Sequence, residues 1–362
     1  MVGEPVTCAA ISRPVVVGAG RRWRAVPTAA GAAVWKVFSR GAAEAAAFFR
    51  PVAGDDDSVK FFVRPGPRLA DCPSVGLMRL HWGGMSVRMN KNLVDAAWLA
   101  RHKDNGNVVV LCASMGDKAA SANGVPGAFL ADIDGEFSDA DDPRPHTCPP
   151  LDDLRRAFQR RGISDDTAVV VYDRHGMVVA PRVWWLLKVV GLDNVAVLNG
   201  GLKAWVAAGY STEPLADPSN VSCGTITAPA RGELLVDIDE VARHLNHGSA
   251  HVVDARSAGR FSGEDPEPRP GMPSGHMPGA RNIPFTEVFP AGTIAPPDVL
   301  ADHFDRVGGP GESYIFSCGS GVTACVDALA AIESGRKDVR VYDGSWSEWA
   351  APGANRPIAV GE

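Results

Sequence analysis

Cys318 is followed by Gly319, Ser320, Gly321, Val322 and Thr323, and then by residues 324–334, whose composition suits a helix with Gly335 as its C-terminal stop. The run before it, Ile315-Phe316-Ser317, reads as a short buried strand. A strand, a glycine-rich loop and a helix start, in that order, put the sulfur where backbone N–H groups and the positive end of a helix converge. Such surroundings favour thiolate over thiol and would equally hold a persulfide or an oxyanion. The hydroxyls of Ser320 and Thr323 could donate further hydrogen bonds to a bound anion. An arbitrary cysteine is more often a small buried hydrophobe; here the flanking glycines argue for chemistry.

The elements that must position this loop occur twice. Residues 108–114 (VVVLCAS), 168–172 and 195–198 read as strands and residues 181–190 as a helix, while Leu93, Ala96, Ala97, Trp98 and Leu99 suit one face of a short helix. The second half repeats that order. Residues 252–256 (VVDAR) answer 110–114 (VLCAS), and 277–280 (MPGA) answer 125–128 (VPGA). Residues 315–318 (IFSC) answer 171–173 (VYD), and 342–349 (YDGSWSEW) answer 198–205 (LNGGLKAW). Cys318 thus stands where the first half has Asp173. The pattern predicts an α/β fold of two tandem homologous domains, each a parallel sheet flanked by helices. They occupy residues 92–208 and 233–358, joined by a Pro/Gly/Ser/Thr-rich linker at 209–232.

Composition bounds the possibilities. With 362 residues, 45% hydrophobic and 22% charged, the chain is too long for one small module and too apolar for wholesale disorder. A net charge of -6 gives no footprint for nucleic acid, and no apolar run is long enough for a transmembrane helix, so a soluble protein without membrane or nucleic-acid partners is expected. Seven dispersed cysteines without a C-x-x-C pair argue against a disulfide framework or a structural zinc site and for reduced thiols in an intracellular compartment. Residues 1–54 hold seven Lys and Arg against two Glu, resembling a mitochondrial transit peptide, and residues 55–91 read as a tether. Residues 1–91 are therefore expected to be an N-terminal extension that delivers the protein to mitochondria, the alternative being a cytoplasmic protein with a disordered extension.

Taken together, CGSGVTAC at 318–325, VYDGSWSEW at 341–349, VVDARSAGRF at 252–261, EPRPG at 267–271, GHMPGARNIPF at 275–285, DIDGEFSD at 132–139, PRVWWLL at 181–187 and NGGLKAW at 199–205 resemble the two-domain rhodanese-like sulfurtransferases. Within that family the closer likeness is to members that use 3-mercaptopyruvate. The resemblance implies an inactive first domain, a catalytic second domain and a site in the crevice between them. It implies that Cys318 is the nucleophile and carries sulfur as a persulfide from a small-molecule donor to cyanide or a thiol such as thioredoxin or glutathione, with no metal or organic cofactor. Gly319, Ser320, Gly321, Val322 and Thr323 would cradle the anion through their backbone N–H groups. Arg260 and Arg269 would hold the donor's carboxylate and keto oxygen. An uncharged loop suits a mercaptopyruvate monoanion better than the thiosulfate dianion, for which relatives carry basic loop residues; a thiosulfate enzyme is the alternative.

His276 is read as a structural hydrogen-bonder, Asp254 as an anchor for loop backbone or an arginine, and Cys325 as a core residue. Two departures from the family pattern bear on the chemistry. Family members carry Asp at the first domain's strand end and His before its Ile-Pro-Gly-Ala, implicated in steering protons toward the loop serine; this chain has Cys112 and Gly124 there. That relay is expected to be absent or supplied differently, with His146, in a stretch resembling the family's PHMLP, as a residue near the crevice. The altered first domain also leaves open a weakly active persulfide carrier or binding module. Cysteine phosphatases of related fold need Arg six residues after the cysteine, and position 324 is Ala.

Overall fold

A computed structural model describes residues 86–116 and 123–361, together with the strands lying between residues 15 and 64. Those strands, β1 (Val15–Val17), β2 (Arg21–Pro27), β3 (Ala33–Phe38), β4 (Ala46–Ala53) and β5 (Val59–Arg64), pair antiparallel in sequence order. They belong to a compact unit of residues 1–82, and residues 83–362 form a second unit. The sheet was not anticipated from sequence; the rest of the leader and most of the tether lie outside the described residues. At the tether's end, Val87 and Met89 donate their N–H groups to the side chains of Asn107 (3.1 Å) and Asn194 (2.6 Å), so contact with the first domain starts before Asn92.

Within the second unit the two halves share one topology. The first comprises β6 (Leu93–Val94), α1 (Ala96–His102), β7 (Val108–Ser114), β8 (Phe129–Asp132), α2 (Leu151–Gln159), β9 (Ala168–Asp173), α3 (Ala180–Val189), β10 (Val195–Leu198) and α4 (Gly201–Ala207). The second comprises β11 (Leu235–Val236), α5 (Ile238–His247), β12 (His251–Asp254), α6 (Ala258–Ser262), β13 (Arg281–Asn282), α7 (Phe285–Val288), α8 (Pro297–Asp305), β14 (Ser313–Ser317), α9 (Ala324–Glu333), β15 (Asp338–Tyr342) and α10 (Ser345–Trp349). Strand order is β6-β10-β9-β7-β8 in one sheet and β11-β15-β14-β12-β13 in the other, every pair parallel. All six residues of β9 are buried, which is why these strands read as unbroken apolar runs and not as alternating ones.

Leu93 belongs to an edge strand and not to the helix expected from its apolar spacing. The reason is Asp95, whose carboxylate accepts the Trp98 N–H (2.6 Å) and starts α1 after it. Asp237 caps α5 through the Glu240 N–H (2.8 Å) after the matching Leu235-Val236, a fifth repeat unit. The linker is a strap and not a loose tether. Glu213 and Gly124 exchange backbone hydrogen bonds (3.0 and 2.7 Å), and Thr227 and Ala228 donate to Asp165. One apolar core runs through both domains, with α3 packed on α9; eight of the ten α9 residues are buried, as befits a helix covered on all sides. No helix among the described residues is long and apolar enough to cross a membrane.

Candidate active site

Cys318 is the first residue after β14 and is only 2% exposed. The loop it opens is clamped by the segment after β15. Ser345 Oγ accepts the N–H groups of Cys318 (3.2 Å) and Gly321 (3.0 Å) and donates to the Tyr342 carbonyl (2.8 Å). Trp346 N–H donates to the Cys318 carbonyl (3.0 Å), and Ser347 donates to the Gly319 carbonyl from both its N–H (3.0 Å) and its hydroxyl (2.5 Å). This corrects the expected cradle of five amides: the Gly321 N–H is already taken by Ser345. The amides of Gly319, Ser320, Val322 and Thr323 have no acceptor among the described residues and stay available to an anion. Gly321 has φ +74° and a Cβ there would lie 2.8 Å from the Asp343 carbonyl oxygen. We expect Gly321→Ala to cost about 2 kcal/mol or more of stability, read by thermal melting.

Both predicted arginines reach the loop. A Cβ on Gly319 would lie 3.1 Å from Arg260 Nη2 and 3.7 Å from Arg269 Nη1. Their environments differ. Arg260 donates Nε (3.0 Å) and Nη2 (2.6 Å) to the two oxygens of Glu267, a buried carboxylate shared with Arg256 (2.7 Å). Arg256 is in turn forked on Asp254 and stacked over Trp346, so Asp254 anchors an arginine as expected. Against the cost of burial, the hydrogen bonds from Arg260 and Arg256 hold Glu267 below the usual carboxylate range. Arg269, by contrast, donates only to Ser347 Oγ (3.0 Å) among the described residues.

His146 comes to the same loop from the first domain. Its Nδ1 lies 3.0 Å from Ser320 Oγ and its Nε2 2.9 Å from Asp134 Oδ1. Its backbone sits at φ +62° and its carbonyl accepts from the buried Arg182 (2.7 Å), which also binds Asp343 Oδ1 (2.7 Å), while Asp343 Oδ2 accepts the Cys148 N–H (2.7 Å). Arg182 and Asp343 thus pin the His146 loop across the domain boundary. Burial pushes the His146 pKa down, the charges of Arg269 and Arg182 add to this, and Asp134 opposes it. Nothing in the spacing of Asp134, Arg182 and Asp343 marks them; only DIDGEFSD, PRVWWLL and VYDGSWSEW, as motifs, point to their neighbourhoods.

The first domain has the corresponding loop filled. Asp173 accepts the N–H groups of His175 (2.9 Å), Met177 (3.0 Å), Val179 (2.8 Å) and Ala180 (2.8 Å), placing a carboxylate where the second domain places sulfur. Cys112 is fully buried and its pKa is raised by burial. A Cβ on Gly124 would lie 2.0 Å from Tyr172 Oη. Cys325 is a core residue whose thiol faces the Gly321 carbonyl (3.3 Å), burial pushing it up to about 12. His276 stacks on Phe261 and its Nδ1 bonds the Phe261 carbonyl (2.9 Å), a structural role. Asp327, in the first turn of α9, is wholly buried with neither oxygen hydrogen-bonded among the described residues, and burial, with the Cys318 charge adding, pushes its pKa up. No group of three or more His, Cys, Asp or Glu among the described residues is arranged to hold a metal.

Comparison with known proteins matches the rhodanese-like domain twice, at residues 95–208 and 237–352. The chain is 36% identical over 268 residues to the 3-mercaptopyruvate sulfurtransferase of Escherichia coli strain K12, covering 71% of this chain and 94% of that one. It is 34% identical over 294 residues to the mitochondrial thiosulfate/3-mercaptopyruvate sulfurtransferase 1 of Arabidopsis thaliana, covering 73% and 77%. The crystal structure of SseA from Escherichia coli superposes with a TM-score of 0.63 at 34% identity, covering 71% of this chain and all of that one.

Proposed function

This chain belongs to the rhodanese-like domain family, in its tandem two-domain sulfurtransferase form, and we propose that it moves sulfane sulfur from 3-mercaptopyruvate through a Cys318 persulfide to a thiol or cyanide acceptor, releasing pyruvate. The observation that carries the reading is an uncharged cysteine loop overhung by two guanidinium groups. Arg269 and Arg260 would fork onto the donor's carboxylate and keto oxygen, setting its sulfur against Cys318. The Cys318 thiolate then bonds to the donor's sulfur as the C–S bond breaks, its electron pair leaving on the methylene carbon as the enolate of pyruvate, which takes up the proton that the thiol released, and the amides of Gly319, Ser320, Val322 and Thr323 stabilise the persulfide's charge. Holding the sulfur covalently divides one difficult transfer into two easier ones, with no metal or organic cofactor required. Thioredoxin and glutathione fit as acceptors because each offers a thiol.

A donor comparison tests this. With a reducing thiol as acceptor, kcat/KM for 3-mercaptopyruvate is expected to exceed that for thiosulfate at least about tenfold, since the loop supplies no second charge for a dianion. A thiosulfate preference overturns the donor assignment, and no pyruvate release by the intact protein leaves the weakly active carrier module as the reading. A mitochondrial location accords with the basic residues 1–54 and with the Arabidopsis relative's name; imaging of a C-terminally tagged full chain decides between mitochondrion and cytoplasm.

A further inference from the structure

Five charged side chains of the second domain gather beside the cysteine loop, and their signs do not balance. Arg256 is spent entirely within the protein. Its Nε and Nη2 fork onto Asp254 (2.6 to 3.0 Å), Nη2 also donates to the Gly275 carbonyl (2.7 Å), and Nη1 donates to Glu267 (2.7 Å). Glu267 gives both oxygens to Arg260, Oε1 to Nε (3.0 Å) and Oε2 to Nη2 (2.6 Å). The Glu267 side chain is 3% exposed and that of Arg260 25%, so the guanidinium beside Gly319 meets solvent while its counter-charge is shut away from it. Asp254 cancels Arg256 and Glu267 cancels Arg260. Arg269, whose one acceptor among the described residues is Ser347, leaves a surplus of one positive charge. Neighbouring charges leave that surplus unchanged: Arg182 is paired with Asp343, and Asp134, across the His146 ring from Ser320, is 42% exposed and screened by water.

We propose that Glu267 is a specificity-determining residue that sets the charge of the donor: by cancelling Arg260 it holds the surplus at one, which a carboxylate monoanion neutralises and a dianion such as thiosulfate exceeds. This role rests on the sulfurtransferase reading for its donors, whereas the field at Cys318 does not. An anion entering a half-buried site gives up water and must recover that cost from fixed charges. A monoanion finds one uncompensated guanidinium. The second charge of a dianion finds none, because the loop contributes no cation and the carboxylate behind Arg260 takes away the one that the second arginine would supply. Hydrogen bonds from Arg260 and Arg256 keep Glu267 ionised against the cost of burial, so the cancellation holds at neutral pH. Glu267 acts through Arg260 and is a positioning residue as well: with Nε and Nη2 committed to it, Arg260 keeps Nη1, which has no acceptor among the described residues, for the donor.

Two ratios read this surplus. The first is kcat/KM for thiosulfate over that for 3-mercaptopyruvate, with a reducing thiol as acceptor. The second needs no donor: the rate at which anionic iodoacetate alkylates Cys318 over the rate for neutral iodoacetamide, each followed by mass spectrometry. Both reagents consume the same thiolate, so its abundance drops out and the potential met by an incoming anion remains. Glu267→Gln keeps the side chain's size and raises the surplus to two, and each ratio should rise about fivefold or more. Glu267→Asp keeps the charge and should leave both ratios near the wild-type value. A merely structural role would slow both donors and both reagents together. The wild-type value of either ratio in folded Glu267→Gln, or an equal rise in Glu267→Asp, overturns the assignment. If Glu267→Gln does not fold, Arg260→Gln is compared with the double variant carrying Glu267→Gln as well. Removing the carboxylate there takes the surplus from none to one, so the same rise is expected, and unchanged ratios overturn the assignment. If the wild type releases no pyruvate, the functional reading fails and the alkylation ratio alone decides the role of Glu267.

Discussion

Cys318→Ser is expected to abolish sulfur transfer, lowering pyruvate release from 3-mercaptopyruvate on the order of 10⁴-fold or more and leaving no sulfur adduct on the protein by mass spectrometry. A hydroxyl in the same place is a far weaker nucleophile at neutral pH and cannot hold a transferable sulfane sulfur. The fold should persist, because the loop is held by backbone contacts that do not involve the sulfur: Ser345 Oγ binds the amides of residues 318 and 321, and α10 binds the carbonyls of residues 318 and 319. Comparable melting of wild type and variant separates loss of chemistry from loss of structure. Sulfur loading that survived the substitution would move the nucleophile elsewhere, with Cys148, half-buried near Asp343, the first residue to examine.

The second large effect is expected at Arg269. Removing it takes away a guanidinium committed, among the described residues, only to Ser347 Oγ, so nearly its whole hydrogen-bonding capacity is available to the donor. A charge-assisted pair of this kind is worth about 1.5–3 kcal/mol, which corresponds to a rise of roughly 10- to 150-fold in the apparent KM for 3-mercaptopyruvate in Arg269→Ala. Arg260→Ala should behave differently. Its guanidinium already spends two donors on Glu267, so the KM rises less, while the buried carboxylate loses one of two cationic partners and stability falls. Parallel KM and melting measurements on the two variants test this asymmetry. A larger KM effect at Arg260 than at Arg269 would show that the substrate displaces Glu267.

The duplicated architecture was legible because its signals are local. Val-rich runs and Pro-Gly turns report parallel strands and their connections, and the strand-loop-helix order around Cys318 reports itself. The two arginines were found through their motifs and both reach Gly319. What stayed hidden depends on contacts between distant segments. Ser345, 27 positions after Cys318, closes the loop and removes one amide from the expected cradle, and no local pattern could rank it above other serines. Asp134 and Ser320 are far apart in sequence and meet only through His146, which Arg182 and Asp343 place from opposite domains. Leu93 was assigned to a helix because a lone apolar residue fits either period; its strand pairing is with Val197, in β10.

Asp173 gives the duplication a consequence of its own. A carboxylate tethered in the first domain's loop is a ligand at permanent full occupancy: it cannot dissociate, compete or be diluted, so that loop's order is independent of any metabolite concentration. The second domain's loop has no such tethered anion among the described residues, and its stabilisation by a bound donor follows mass action, growing with the logarithm of donor concentration over its dissociation constant. One copy of the loop is thereby fixed as a saturated scaffold, and the other is left responsive to supply.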